Sequence, residues 1–458
     1  MPSYSIIQSD VLVALKAMPD ASFDALLSDP PSGIGFSNEE WDSDKGGRDE
    51  WIAWLAEIAV EIARVLRPGA YGLVWALPRT SHWTATALEN GGLEIRDRVS
   101  HLFGSGVPKP MTTAPKMIEA AGGSPADIER FAGYCMAIKP AVEDWWLVRR
   151  PMDGTIAHNC TTHGTGVLNI AGTRVGLSGG TTKAGQTPDS ESRGTYGRGL
   201  NGSYAVPIDA GRWPSHLVLD DAAAALLDEQ AGDDHPSTLA GRSDPATSHD
   251  HTSGAEYSPH GIYGMGLKTL GTRVYADDGG PSRFFKILSE SEAGSVFKYA
   301  AKPSTAEREF GCEALPLRTG DEMTGRKAGS KGLDSPQAGA GRSSGARNFH
   351  KTIKGITLTT YLATLLLPPP RADGSARRLL CLFSGSGGEV IGGMRAGWDE
   401  IVGVERDADF VTISRARIDR WSQVPAKMSV REAVGESEAA VDGQVSLFGG
   451  GASSLEIR

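Results

Sequence analysis

Three observations predict a doubly wound α/β fold with a mostly parallel sheet, split by a long loop-rich insertion. Apolar runs of strand length alternate with amphipathic helical stretches over the first 150 residues and again after residue 350. Two of these runs stop abruptly, one at Asp29-Pro30-Pro31 and one at Phe383-Ser384-Gly385-Ser386-Gly387. The stretch between Met152 and about His350 is rich in Gly, Ser, Thr, Pro and Asp, and with 458 residues the chain has room for it beside a full core.

In chain order, Ile6 and Ile7 end a short apolar run closed by Asp10. The segment VLVALKAM then places Val11, Leu12, Leu15 and Met18 on one helical face, and Pro19 ends it. Asp10 therefore either caps this helix or faces a ligand at a strand end. Phe23 to Ser28 are compact and apolar enough for a buried strand. The two prolines stop it, because neither donates to a ladder and each restricts its predecessor. Ile52, Leu55, Ile58, Ile62 and Leu66 recur at helical spacing up to Arg67-Pro68-Gly69, and Ala70 to Leu77 read as the next buried strand. A helix around His82 to Glu89, a strand in LEIRDRVSHLF and another in DWWLVRR follow. Adjacent Trp145 and Trp146 face opposite ways on such a strand, so one of them is expected in the core.

Asp29 is thus expected at the carboxyl end of a strand on a stiff backbone, where open α/β sheets bind ligands. A carboxylate there, with a rigid carbonyl such as that of Pro30, can accept both hydrogens of a nucleobase amino group. That would localise a lone pair otherwise spread into the ring. As a tetrapeptide alone, Asp-Pro-Pro-Ser equally describes a strand-ending turn.

The insertion contains two clear periodic stretches, WPSHLVLDDAAAALLDEQAG and SVFKYAAKP. Near its end Arg326, Lys327, Lys331, Arg342, Arg347, Lys351 and Lys354 stand against a single acid, Asp334. This is either a solvated loop or one that contacts phosphates. Beyond it, Leu379 to Phe383 read as a strand, then a Gly-rich turn, a helix, and a strand Ile401 to Val404 ending at Glu405. Gly385 and Gly387 allow a tight turn and close approach to a ligand. An acid about 20 residues on is the ribose-hydroxyl position of a nucleotide-type site. Val390 occupies the third glycine position of a dinucleotide fingerprint, which disfavours a nicotinamide oxidoreductase.

Together these segments resemble the S-adenosylmethionine-dependent DNA methyltransferases of adenine N6 or cytosine N4, in the beta order with the catalytic motif first. The opening IIQSDVLVALKAMPDASFDALLSDPPS, the strand VLRPGAYGLVWA, the patches HLFGSGVPKP, AIKPAVEDWWLVRRP, HGTGVLNI and GRWPSHLVLD, and FHKTIKGITLTTYLATLLLPP with LFSGSGGE carry the likeness. Several of these patches resemble phage and prophage members. The resemblance implies a Rossmann-like methyltransferase domain and transfer to adenine N6 in DNA, with S-adenosylmethionine as cofactor and restriction-modification as a setting. It implies a catalytic Asp29, Pro30, Pro31 and Ser32. For the cofactor it implies Asp10, Phe383, Gly385, Gly387, Glu405 and, with Thr357 beside it, Lys354. Ser32 replaces the family's usual aromatic, so Phe36 or Trp41 is expected to stack on the target base. Gly355 replaces the usual proline after Lys354. The alternatives are a cytosine-N4 enzyme or a catalytically degenerate DNA- or cofactor-binding protein.

The expected divisions are residues 1–151 for the catalytic half, 152–350 for target recognition, 351–421 for the cofactor half and 422–458 for a disordered tail. The expected partner is double-stranded DNA, held by Arg326, Lys327, Lys331, Arg342 and Arg347, with a monomer or homodimer both open. A net charge of −10 excludes a general nucleic-acid coat but not a local basic groove. With no long apolar run and no basic-then-apolar start, a cytoplasmic protein without membrane contact is expected, in the host cytoplasm if phage-encoded. The four scattered cysteines are expected to be reduced, and Cys381 to lie in the core without the setting of a cytosine-C5 nucleophile. His158, His163, His249 and His251 are read as polar loop histidines, so no metal site is expected.

Overall fold

The structure is a computed structural model. It describes residues 2–36, 39–103, 113–136, 138, 140–175, 213–231, 282, 285–288, 303–319, 322 and 345–435, with the backbone of short strands at 182–185, 193–194, 197–198 and 204–207. The chain divides into two compact units. The first comprises Met1–Thr173, Ser215–Ala225 and Ile287–Arg458, and the second Arg174–Pro214 and Leu226–Lys286.

The first unit is built on a nine-stranded sheet. Its strands in chain order are β1 (Ser3–Gln8), β2 (Phe23–Ser28), β3 (Leu66–Ala76), β4 (Glu94–Leu102), β5 (Val142–Arg149), β6 (Leu217–Asp220), β7 (Lys286–Leu288), β8 (Arg378–Leu382) and β9 (Glu400–Glu405). Their spatial order is β1-β9-β8-β2-β3-β5-β4-β6-β7. The run from β1 to β3 is parallel, as is β4 with β6, and β5 runs against its neighbours β3 and β4. Ser28, Leu382 and Val404 lie in one register row, so β2, β8 and β9 end together.

Strand periodicity sorts the core into two layers. Ala25, Leu27, Leu379 and Cys381 face one side, where they pack with helix α4 (Ile356–Leu366), α5 (Gly388–Ala396) and α6 (Ala408–Trp421). Leu26, Leu380 and Leu382 face the other, against α1 (Val11–Ala17), α2 (Arg48–Val65) and α3 (Ser81–Asn90). With helices on both faces the central strands are buried on both sides, and all six residues of β2 are buried. Trp145 is fully buried, whereas Trp146 points the opposite way and its indole donates to Ser81.

Two segments depart from the sequence reading. The stretch from residue 422, expected as a disordered tail, carries a further helix α7 (Val430–Val434) with a complete Ser429/Glu432 capping box, and Val430 is buried in the core. Its apolar content is too small to stand out by periodicity. Within the stretch read as insertion, β6 joins the main sheet, and a short helix Thr305–Glu309 meets the start of α4 through Glu307. The second unit contains two antiparallel pairs, Thr182–Gly185 with Tyr204–Pro207 and Arg193–Gly194 with Gly197–Arg198. Among the described residues no helix is long and apolar enough to cross a membrane.

Candidate active site

Asp29 directly follows β2 at the carboxyl edge of the parallel strands, next to the turn that follows β8. The Lys354 ammonium donates to Asp29 Oδ2 at 2.7 Å, and the side chains are only 8% and 12% exposed, respectively. Lys354 also lies 3.9 Å above the Trp75 ring, whose indole N–H donates to Glu143 Oε2 at 3.1 Å. Among the described residues Asp29 Oδ1 has no hydrogen-bond donor, so this oxygen is available to a ligand. Burial pushes the Asp29 carboxyl up, and Lys354 offsets part of that rise. Burial would pull Lys354 down, but the carboxylates of Asp29 and Glu143 outweigh it and hold the ammonium above its ordinary range. Glu389, in the first turn of α5, is pushed up to about 7 by burial and then by the charge of Asp29.

Lys354 precedes α4, whose N-cap Gly355 has no side chain to offer. Glu307 from the short helix supplies the cap instead, its Oε1 accepting from the Ile356 N–H at 2.7 Å. The structure thus places the Lys354 ammonium on Asp29, while its backbone oxygen lies beside Gly388 of the glycine turn.

The turn after β8 is held from below. Ser384 N donates to Val404 O, and the buried Arg417 guanidinium donates to Ser386 O at 2.7 Å and Ser386 Oγ at 3.0 Å. Phe383 adopts φ +55°, a left-handed conformation that is costly for a residue with a Cβ. Its ring meets Trp54 at 6.0 Å. At Gly385, φ is +48° and an added Cβ would lie 2.5 Å from His350 Nε2, so only glycine fits. Gly387 is likewise left-handed and opens α5. Glu405, ending β9, receives the Gly385 N–H on Oε2 and the Asp407 N–H on Oε1, both at 2.8 Å. Each oxygen retains a lone pair for a further donor. Burial raises the Glu405 carboxyl and these N–H donors counter it. His350 is pulled down to about 3 by burial and then by nearby cations, so it is neutral.

Ser32 sits in a loop organised by a residue the sequence reading missed. The buried Asp42 carboxylate accepts from Ser32 N and Oγ, from Gly33 N at 3.1 Å and from Phe36 N at 2.8 Å. Thr80 Oγ1 donates to Ser32 O at 2.8 Å. The serine hydroxyl is therefore a loop anchor. Phe36 and Trp41 are half-buried in the same loop, the latter on a single turn over Glu40–Asp42. Asp10 is exposed, and its Oδ1 accepts from Leu12 N at 2.9 Å and Val13 N at 3.3 Å as the cap of α1.

Of the basic residues expected on DNA, Arg326, Lys327, Lys331 and Arg342 lie outside the described residues. Arg347 is half-buried, with its backbone N–H on Glu309 and its Nε shielded from solvent. Two further polar groups share this region. Glu143 and His101 are register partners on β5 and β4 and face the side of Trp75. His101 is 3% exposed, and among the described residues neither ring nitrogen has a hydrogen-bond partner. Burial lowers its pKa, with Glu143 acting against that and Lys354 adding to it. Nothing in the spacing of these residues marks them in sequence, because the pairing of β5 with β3 and β4 brings them together.

No family model and no curated protein matches the chain. Several solved structures align over most of it. PvuII DNA methyltransferase (cytosine-N4-specific) does so at 12% identity and a TM-score of 0.40, covering 94% of this chain and 90% of its own. The M1.HpyAVI–SAM complex aligns at 9% identity and a TM-score of 0.34, covering 91% and 99%. TTHA0409 of Thermus thermophilus, complexed with S-adenosyl-L-methionine, aligns at 11% identity and a TM-score of 0.34, covering 92% and 95%.

Proposed function

We propose that this chain transfers a methyl group from S-adenosylmethionine to the N6 amino group of adenine in double-stranded DNA. The observation that carries the reading is the adjacency of β2 and β8. Residues more than 350 positions apart put a buried carboxylate, Asp29, beside a strained glycine turn backed by Glu405.

The residues fit such a cofactor. Gly385 leaves the turn without a Cβ, Glu405 keeps acceptor capacity for a pair of ribose hydroxyls, and Phe383 offers an apolar wall. When bound, the cofactor supplies a methyl group on a sulfonium, electrophilic without further activation. Asp29 Oδ1 accepts one hydrogen of the target amino group, and the carbonyl of Pro30 or Pro31 accepts the other on a backbone that cannot swing away. Lys354 offsets part of the rise that burial imposes on the Asp29 carboxyl and so favours its ionised, accepting form. The base must leave the duplex to reach this edge, at a cost of a few kcal/mol. Phe36 or Trp41 then stacks on it in place of the aromatic that Ser32 replaces, and His101 and Glu143 offer polar contacts. Residues 1–151 and 351–421 form the two halves of this domain, and the insertion reads the target.

The test is transfer of labelled methyl from S-adenosylmethionine to unmethylated duplex DNA, with nucleoside analysis of the product, wild type beside Asp29→Ala. N6-methyladenine that disappears in the variant supports the reading. N4-methylcytosine would replace adenine by cytosine as target. Cofactor binding without transfer would mark a degenerate binder.

A further inference from the structure

A second cluster lies at the opposite edge of the sheet. The chain leaves β5 at Arg149, on the edge away from Glu143, and folds into a loop carrying Asp153, His158 and His163. Their ligand atoms all lie within 4.8 Å of one another. His158 Nε2 is 3.5 Å and His163 Nε2 3.4 Å from the same oxygen, Asp153 Oδ2. Tetrahedral zinc with bonds of about 2.0–2.1 Å holds its donors roughly 3.3–3.4 Å apart, so these separations match an edge of that tetrahedron.

The loop is built to hold this arrangement. His158 and His163 are five residues apart, a spacing that an α-helix would splay, and the chain here forms a π turn over Asn159–His163 that brings them onto one side. The rings meet edge to face at 6.0 Å. Asn159 is fully buried and locks the Asp153 backbone, accepting from Asp153 N at 3.2 Å and donating to Asp153 O at 2.7 Å. The His163 carbonyl accepts from Arg371 at 3.1 Å, and Arg371 is itself ion-paired with the buried Asp24. Thr162 Oγ1 lies 3.3 Å from His158 Nδ1. It can take that N–H and leave Nε2 as a lone-pair donor, the outer contact expected of a ligating imidazole.

We propose that Asp153, His158 and His163 bind one divalent transition-metal ion of the zinc type, with the fourth position open to water. The ion ties the loop after β5 to itself. Because Asn159 and Arg371 connect that loop to the core, occupancy stiffens the sheet edge opposite Asp29. The site takes no part in methyl transfer, so its test is independent of the proposed activity.

The experiment titrates Co²⁺ into the metal-free full chain and follows the visible absorption of tetrahedral cobalt. One saturable equivalent is expected, competed by Zn²⁺, with affinity falling at least a hundredfold in Asp153→Ala and in His163→Ala. A double variant of His249 and His251 should bind as wild type does. Circular dichroism of the metal-free variants should match wild type, and a milder change, His158→Gln, guards against loss of fold. No saturable tetrahedral signal, equal binding by the Asp153 and His163 variants, or loss on changing His249 and His251 would each overturn the proposal.

Discussion

Asp29 and Lys354 form a pair in which neither member is stable alone. Removing one partner of a buried ion pair leaves the other desolvated and uncompensated, at a cost of about 3–5 kcal/mol. Lys354→Met should therefore lower unfolding free energy by that order in denaturant titration and abolish transfer, whereas Asp29→Asn leaves Lys354 the charge of Glu143 and should cost less stability. Its loss of transfer should reach at least about a hundredfold, the scale of deleting one oriented transition-state group. Glu389 and His350 give opposite pH dependences. The Glu389 carboxyl, raised to about 7, holds its proton better folded than unfolded, so its contribution is present at low pH and lost as pH rises from the usual carboxylate range through 7. His350, pulled down to about 3, is kept neutral by the fold, and stability is lost as pH falls from about 6.5 toward 3. Thermal unfolding between pH 5 and 8 should show the falling Glu389 contribution flatten in Glu389→Gln. A slope unchanged by that substitution would refute the assignment.

At the scale of elements, the turn after β8 and the loop after β2 are held by different means. The first rests on backbone conformation. Gly385→Ala must place a Cβ against His350 at a left-handed residue, a strain of about 1–3 kcal/mol. It should weaken S-adenosylmethionine binding in calorimetry by at least tenfold. The second rests on one buried carboxylate. Asp42→Ala frees the N–H groups of Ser32, Gly33 and Phe36 together and should lower the melting temperature by several degrees, with poorer DNA binding if Phe36 or Trp41 stacks on the base. The Gly-x-Gly turn was legible because its glycines and the later acid sit at fixed spacing on one strand-turn-helix-strand unit. Asp42 was not, since a carboxylate ten residues downstream carries no local signal of the N–H groups it will gather.

For the whole molecule, DNA binding through scattered cations predicts a strong salt dependence: log affinity against log salt should be linear, with a slope near −0.9 per neutralised phosphate. Replacing Arg326, Lys327 and Lys331 together should make that slope shallower by two to three, and an unchanged slope would place the DNA elsewhere. Sequence alone determined the class of fold, the alternation of strand and helix, the strand end at Asp29 and the glycine turn followed by a strand ending at Glu405. Each of these is written in local periodicity, in proline or glycine at a strand end, and in short fixed spacing. Tertiary structure decided the rest. Only the parallel registry of β2 with β8 sets Asp29 beside the glycine turn, only the packing of α4 on the sheet sets Lys354 on Asp29, only the reversed β5 sets Glu143 beside His101, and only the helix at Thr305–Glu309 shows what caps α4. Such partners are separated by tens to hundreds of residues, and pairing across that distance depends on the packed sheet rather than on any pattern within a segment.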